Sequence, residues 1–266
     1  MVRFGVSQSW GKQTVQTTSS GKATVDGPSN LDPTVPEAFH VDIQLIHLDG
    51  TPRWTIPHAE KLALRYCEND NECFVDYDWA RGRVDAQIRP YDLILSLVLV
   101  SGITRGQIRD VMERRDKINA VLRKIPADAH IAEAQPGTNL RKAVGDLWEA
   151  MTFDKFSFSR FSKTLHKKRP NLIPVVDRKC TIGFYMPSRV VAVHNNPAAK
   201  ASCGSWLAIF DQIRVDVCHN LEPLRNNSQQ LAKHGFGGVS EVRALDMILW
   251  EMRRDDPTPI HRRRRK

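Results

Sequence analysis

The apolar positions of this chain change their period from one end to the other. In residues 1–36 they are sparse and aperiodic, set among Ser, Thr, Gln and Gly with Pro28, Pro33 and Pro36, which predicts a disordered arm. Val41, Ile43 and Leu45 then alternate with polar residues, and Asp49-Gly50 is a hairpin turn signal, so 37–56 reads as an extended or hairpin segment.

From residue 57 the spacing turns helical. Pro57-His58-Ala59-Glu60 opens a helix carrying Leu62, Leu64 and Tyr66. Asn69-Asp70-Asn71 is a loop, and Phe74-Val75-Asp76-Tyr77-Asp78 reads as extended or turn. Pro90 suits the first turn of a helix that continues through Leu93 to Val100. Arg105 to Lys124 places Ile108, Val111, Met112, Ile118, Val121 and Leu122 on one stripe, which predicts an amphipathic helix ended by Gln135-Pro136-Gly137. Leu140, Val144, Leu147, Trp148 and Met151 repeat the pattern, as do Trp206, Ile209, Phe210, Ile213 and Val217. After a loop at Gly235, Gly237 and Gly238, Ser240 can cap a last helix with Leu245, Ile248, Leu249 and Met252 buried and Arg253 and Arg254 at its C-terminus. Helices with short loops and almost no later strand signal predict one all-α domain over 57–254, followed by a basic tail at 255–266.

Composition narrows this picture modestly. The 266 residues, 41% hydrophobic, suffice for one sizeable core. Of the net charge of +9, Arg262 to Lys266 supplies five, so the body is only mildly basic and total charge does not by itself specify nucleic acid. The five cysteines (Cys67, Cys73, Cys180, Cys203 and Cys218) form no CxxC pair, which argues against a zinc ribbon or an iron–sulfur cluster. Cys218-His219 reads as a core cysteine beside a surface histidine. Reduced thiols and a cytoplasmic setting are expected. There is no apolar run of the ~18 residues a membrane span needs, and the N-terminus lacks an apolar signal region. No membrane partner, metal or cofactor is expected.

The stretch Ser162 to Asp177 carries the candidate chemistry. Lys163, His166, Lys167, Lys168 and Arg169 crowd the end of a predicted helix, and the Pro-bounded turn Pro170-Asn171-Leu172-Ile173-Pro174 then delivers one carboxylate, Asp177. Such cations suit a phosphate backbone. They equally suit a solvated helix C-terminus, whose dipole favours positive charge. Asp177 reads either as an acid aimed at a sugar or base, or as a plain N-cap for a helix beginning at Arg178. Asp76, Tyr77, Asp78 and Trp79 form an acidic and aromatic cluster whose ordinary reading is a loop anchored by its rings. Trp148, Trp206 and Trp250 lie on helical stripes and read as core.

Three blocks occur in order: Phe74-Val75-Asp76-Tyr77-Asp78 with Arg89-Pro90-Tyr91-Asp92-Leu93-Ile94, then Ser162–Asp177, then Val239-Ser240-Glu241-Val242-Arg243-Ala244-Leu245-Asp246 running on to Trp250. Together they resemble a bacterial domain of unknown function with an SK-LH-KRP-LIP–D block and a closing S-x-x-R-x-L-D-x-x-x-W helix. That resemblance brings no activity. A more distant one does: Phe156 to Asp177 looks like the hairpin-plus-aspartate region of the helix-hairpin-helix base-excision glycosylases. It implies an all-α glycosylase-like architecture, DNA held by the hairpin, and Asp177 as the catalytic aspartate. Phe156-Ser157-Phe158 stands where that superfamily has its hairpin glycines, and the position of the lyase lysine falls on or near Arg160, not on Lys163. Arginine forms no Schiff base, so the implied enzyme is monofunctional.

The expectation is a nucleic-acid-binding helical protein, its partner DNA, that removes a damaged or modified base. Asp177 would stabilise the oxocarbenium-like sugar, while Arg160, Lys163, His166, Lys167, Lys168 and Arg169 contact nucleic acid. The alternative is a non-catalytic DNA-binding or protein-interaction module that keeps the fold, with Asp177 a cap. A third reading, a small-molecule hydrolase built on Asp76 and Asp78, would need a third converging ligand.

Overall fold

The computed structural model describes residues 41–69, 77–78, 84–99, 102–153, 157–177, 181, 183–185 and 203–255. The expected arm over 1–36, the tail beyond Asp255, the proposed helix start at Arg178, and Asp76, Trp79 and Phe156 lie outside these residues.

The chain enters as a hairpin. Strand β1 (Ile43–Ile46) pairs antiparallel with β2 (Pro52–Ile56), with Ile43 opposite Ile56 and Leu45 opposite Trp54. Gly50 takes the positive φ of 82° that the turn requires. The Asp49 carboxylate accepts from the Thr51 amide and hydroxyl, at 3.0 and 2.7 Å.

Helices follow in the order α1 (Ala59–Glu68), α2 (Pro90–Val98), α3 (Arg105–Glu113), α4 (Arg115–Leu122), α5 (Asn139–Met151), α6 (Phe158–His166), α7 (Cys203–His219), α8 (Leu221–Lys233) and α9 (Glu241–Asp255). Short helical turns at Ile131–Glu133 and Gly183–Tyr185 punctuate them. The described part of the domain is thus mostly helical, with one small hairpin. Pro90 occupies the first turn of α2 as expected, and the Asp92 carboxylate there accepts from the Arg89 amide at 2.7 Å. Ser240 caps α9 by accepting from the Arg243 amide at 3.2 Å.

Three expectations need correction. Arg105 to Lys124 forms two helices, because the backbone leaves helical geometry at Arg114 (φ −95°, ψ 3°). Tyr77 and Asp78, read as extended or turn, are helical. Helix α8 was not foreseen: its buried stripe is only Leu224 and Leu231 with Asn227 between them, and Pro223 sits in its first turn, where a missing N–H costs nothing.

The hairpin is fastened by side chains of α7. Asn220, just past the end of that helix, accepts from the Gln44 amide and donates to the Gln44 carbonyl, both at 2.8 Å. Asp216 accepts from the Ile46 amide at 2.8 Å, and Gln212 donates to the Ile46 carbonyl at 2.6 Å. These groups do for β1 what a third strand would do, and an otherwise open sheet edge is satisfied.

An aromatic cluster sits at the centre. The Trp148 and Trp206 rings stack at 5.7 Å, Phe161 meets both edge-on at 4.9 Å, and Phe158 packs on Trp148 at 4.8 Å. Trp148 and Trp206 are core, as their spacing predicted. Phe158 and Phe161 belong to α6, whose first turn is capped by the Ser157 hydroxyl. Anchoring α6 in this cluster fixes where its Lys163 and His166 must lie.

Candidate functional site

The three sequence blocks converge on one buried polar network. Its centre is Arg243 on α9, 2% exposed. The guanidinium donates to Asp78 at 2.7 and 3.1 Å, to the Tyr66 hydroxyl at 3.0 Å, and to the Asp246 carboxylate. It also lies 5.2 Å from the Tyr66 ring and 5.7 Å from the Tyr77 ring. A buried arginine is tolerated when its fork is filled in this way. Burial opposes its charge, and Asp78, Tyr66 and Asp246 outweigh that, holding the group firmly protonated.

Helix α6 supplies the opposite wall. The Lys163 ammonium is buried, 2.6 Å from the Leu99 carbonyl oxygen and 3.3 Å from Asp177 Oδ2. Tyr77 donates its hydroxyl to the Lys163 carbonyl at 2.7 Å. His166 lies 2.7 Å from the Ile173 carbonyl through Nδ1, which must donate, since a carbonyl only accepts. Burial, and next the charge of Arg243, push the His166 pKa down to about 3, so the ring is neutral. Lys167 stands 4.6 Å over the Tyr77 ring and donates to the Asp78 carbonyl at 3.1 Å.

The cations read as phosphate contacts are thus turned mostly inward. Lys168 has no solvent exposure and bridges Asp85 at 3.0 Å and Asp92 at 2.9 Å. Arg169, 2% exposed, donates to the carbonyls of Leu122 and Ile125 at the end of α4 and to those of Asp85 and Lys168. Lys163 and His166 are equally interior, and Lys167 is largely covered. Arg160 is only partly buried, and its guanidinium donates to the Gly102 carbonyl at 3.1 Å. The amine that meets Asp177 is that of Lys163, at 3.3 Å. Ser162, fully buried, accepts from the Val176 amide at 2.9 Å and pins the Pro-bounded turn to α6.

Asp177 itself keeps an 18% exposed side chain, against 8% for Asp78 and for Asp246. It is the most open carboxylate of this network. Asp246 differs: burial, against partial relief from Arg243 and Lys163, raises its pKa to about 6. The same contact therefore favours charge on Arg243 and less so on Asp246. The reason is that the arginine serves several acceptors, while Asp246 also feels the negative charges of Asp177 and Asp78.

Sequence reasoning did not foresee Arg243, Tyr66 and Asp246 as neighbours of Asp177, or Asp85 and Asp92 as the partners of Lys168. The available signal was that Arg243, Asp246 and Asp92 stood inside the same recurring blocks. Among the described residues no three His, Cys, Asp or Glu side chains gather as a metal site.

The network draws on α1, the helical pair Tyr77 and Asp78, α6 and α9, which is the span 66–246. Residues 65–253 match the model of a family of unknown function, DUF6308. The chain belongs to DUF6308. No curated protein and no solved structure matches it. All three blocks lie within the matched residues, and in this DUF6308 member they contribute to one interior network. No described helix is long and apolar enough to cross a membrane.

Proposed function

We propose that this DUF6308 domain is a nucleic-acid-binding helical protein that acts as a monofunctional, glycosylase-like enzyme on a damaged or modified base, with Asp177 as its acid. The observation that carries the reading is the placement of Asp177. It follows a rigid turn, keeps access to solvent, and is held 3.3 Å from the buried Lys163 ammonium. Cleavage of an N-glycosidic bond builds positive charge on the sugar, and a fixed, ionised carboxylate stabilises that charge without reorganising. In this reading Lys163 is a positioning residue. Its ammonium is buried and hydrogen-bonded to Asp177 and the Leu99 carbonyl, so it holds the candidate acid in place. Asp177→Asn, assayed for base release from damaged duplexes, tests the proposal.

One observation favours a second reading, a non-catalytic module. The inward cations and the Arg243 fork act as structural elements, leaving a binding protein in which Asp177 serves to hold Lys163. Wild-type protein that binds nucleic acid and releases no base would select this reading.

A further inference from the structure

With Lys163, Lys168 and Arg169 committed to the interior, positive charge for a phosphate backbone must come from elsewhere. The basic tail accounts for five of the nine net charges. The stretch Arg105–Lys124 holds seven lysines and arginines against three acids, a surplus of four, so the remainder of the chain is balanced. All seven of these cations are exposed. They stand on α3, α4 and the turn that follows.

Arg114 folds back toward the Thr152 carbonyl at 3.3 Å and the Phe153 ring at 5.4 Å. The other six (Arg105, Arg109, Arg115, Lys117, Arg123 and Lys124) have at most loose surface pairings. Arg109 lies 3.8 Å from Asp110 and from Glu113, and Arg115 lies 3.6 Å from Asp116. Pairs this exposed contribute roughly 0–1 kcal/mol and dissolve readily in favour of a polyanion. The acids that would balance the stripe are too few, and elsewhere in the fold acids are drawn inward by Arg243 and Lys168.

The stripe is also tied to the Asp177 site. Leu99, at the end of α2, accepts from Lys163, and Gly102, just before α3, accepts from Arg160 on the same helix α6. Arg105 is six steps along the chain from Leu99, so no more than about 22 Å lies between the start of the stripe and the Lys163 anchor. At 3.4 Å per base pair that is roughly six steps of duplex, short enough for one bound segment to reach both.

We propose that the exposed face of α3 and α4 is the nucleic-acid-binding surface, taking the phosphodiester backbone of a DNA duplex. This rests on the nucleic-acid reading above and replaces the Lys163–Arg169 block as its phosphate contact. Binding through this face is electrostatic and insensitive to sequence.

The test uses the full chain with two sets of substitutions. One carries Arg105→Glu, Arg109→Glu, Arg115→Glu and Lys117→Glu. The other replaces Arg262 to Lys266 with serine. Fluorescence anisotropy with a labelled DNA duplex, across salt from about 50 to 200 mM, gives affinity and salt slope. A matched RNA duplex run in parallel identifies which backbone is preferred; tighter RNA binding would overturn the choice of DNA. Urea melts confirm that the exposed substitutions leave folding intact. The helix variant should lose at least about tenfold in affinity and about four units of log–log salt slope, while the tail variant keeps most of its binding. Loss confined to the tail variant would overturn this surface and leave the nucleic-acid reading standing. No binding by the wild-type chain to either duplex would overturn both.

Discussion

The Lys163 ammonium lies 3.3 Å from Asp177 and 2.6 Å from the Leu99 carbonyl, so one buried cation ties α6, the end of α2 and the candidate acid together. Removing it takes a buried donor from the Leu99 carbonyl and the nearby positive charge from Asp177. Lys163→Met should therefore destabilise the fold by about 3 kcal/mol in urea titrations, and Lys163→Met with Asp177→Asn should recover part of that loss. A cost under about 1 kcal/mol for the single change would show that the pair does not hold these elements together.

Arg243 satisfies Asp78, Asp246 and Tyr66 at once. Arg243→Met strands two buried carboxylates and should cost about 3–5 kcal/mol. Arg243→Lys should not rescue it, since one ammonium cannot reproduce the fork that reaches Asp78 through two nitrogens. Equal stability of the lysine variant and the wild type would contradict this geometry.

Two buried groups impose opposite pH dependences. His166 has its pKa lowered to about 3 from 6.5, chiefly by burial, so its contribution is complete above pH 6.5 and is lost as pH falls toward 3. Asp246 has its pKa raised to about 6 from 3.8, again chiefly by burial, so its contribution is present below pH 3.8 and is lost as pH rises through 6. Between about pH 4 and 6 the two slopes oppose each other. Asp246→Asn should make the urea midpoint fall more steeply on acidification across this window, and His166→Gln should make it fall less. Parallel profiles for both variants and the wild type would rule out the assignment.

Interior and surface cations should separate cleanly. Arg169→Ala removes the donor to four carbonyl groups, those of Leu122, Ile125, Asp85 and Lys168, and should cost about 3 kcal/mol or more of stability. It should leave the salt slope of nucleic-acid binding unchanged, since a residue 2% exposed meets no phosphate. A shift of about one slope unit, with stability intact, would return Arg169 to the surface role its sequence context implied.

The hairpin, most helices and the aromatic core were legible because each depends on local spacing. Asp49-Gly50, Pro90 and Ser240 mark element ends by their own chemistry, and Trp148 and Trp206 repeat on apolar stripes. What local spacing cannot carry is the destination of a charge. Lys168 finds Asp85 from 83 residues away, and Arg243 finds Asp78 from 165 residues away. A lysine beside a helix end looks the same in sequence whether it meets water or a buried aspartate. Asn227, polar yet 1% exposed, hid α8 for the same reason.

The most direct test incubates the full chain, beside its Asp177→Asn variant, with duplexes carrying a panel of damaged bases, and then cleaves abasic sites with alkali. The account predicts strand breaks on at least one lesion that need the alkali step and vanish with the variant, while duplex binding persists. Binding by the wild-type chain with no breaks on any lesion, or breaks that survive in the variant, would contradict a catalytic Asp177.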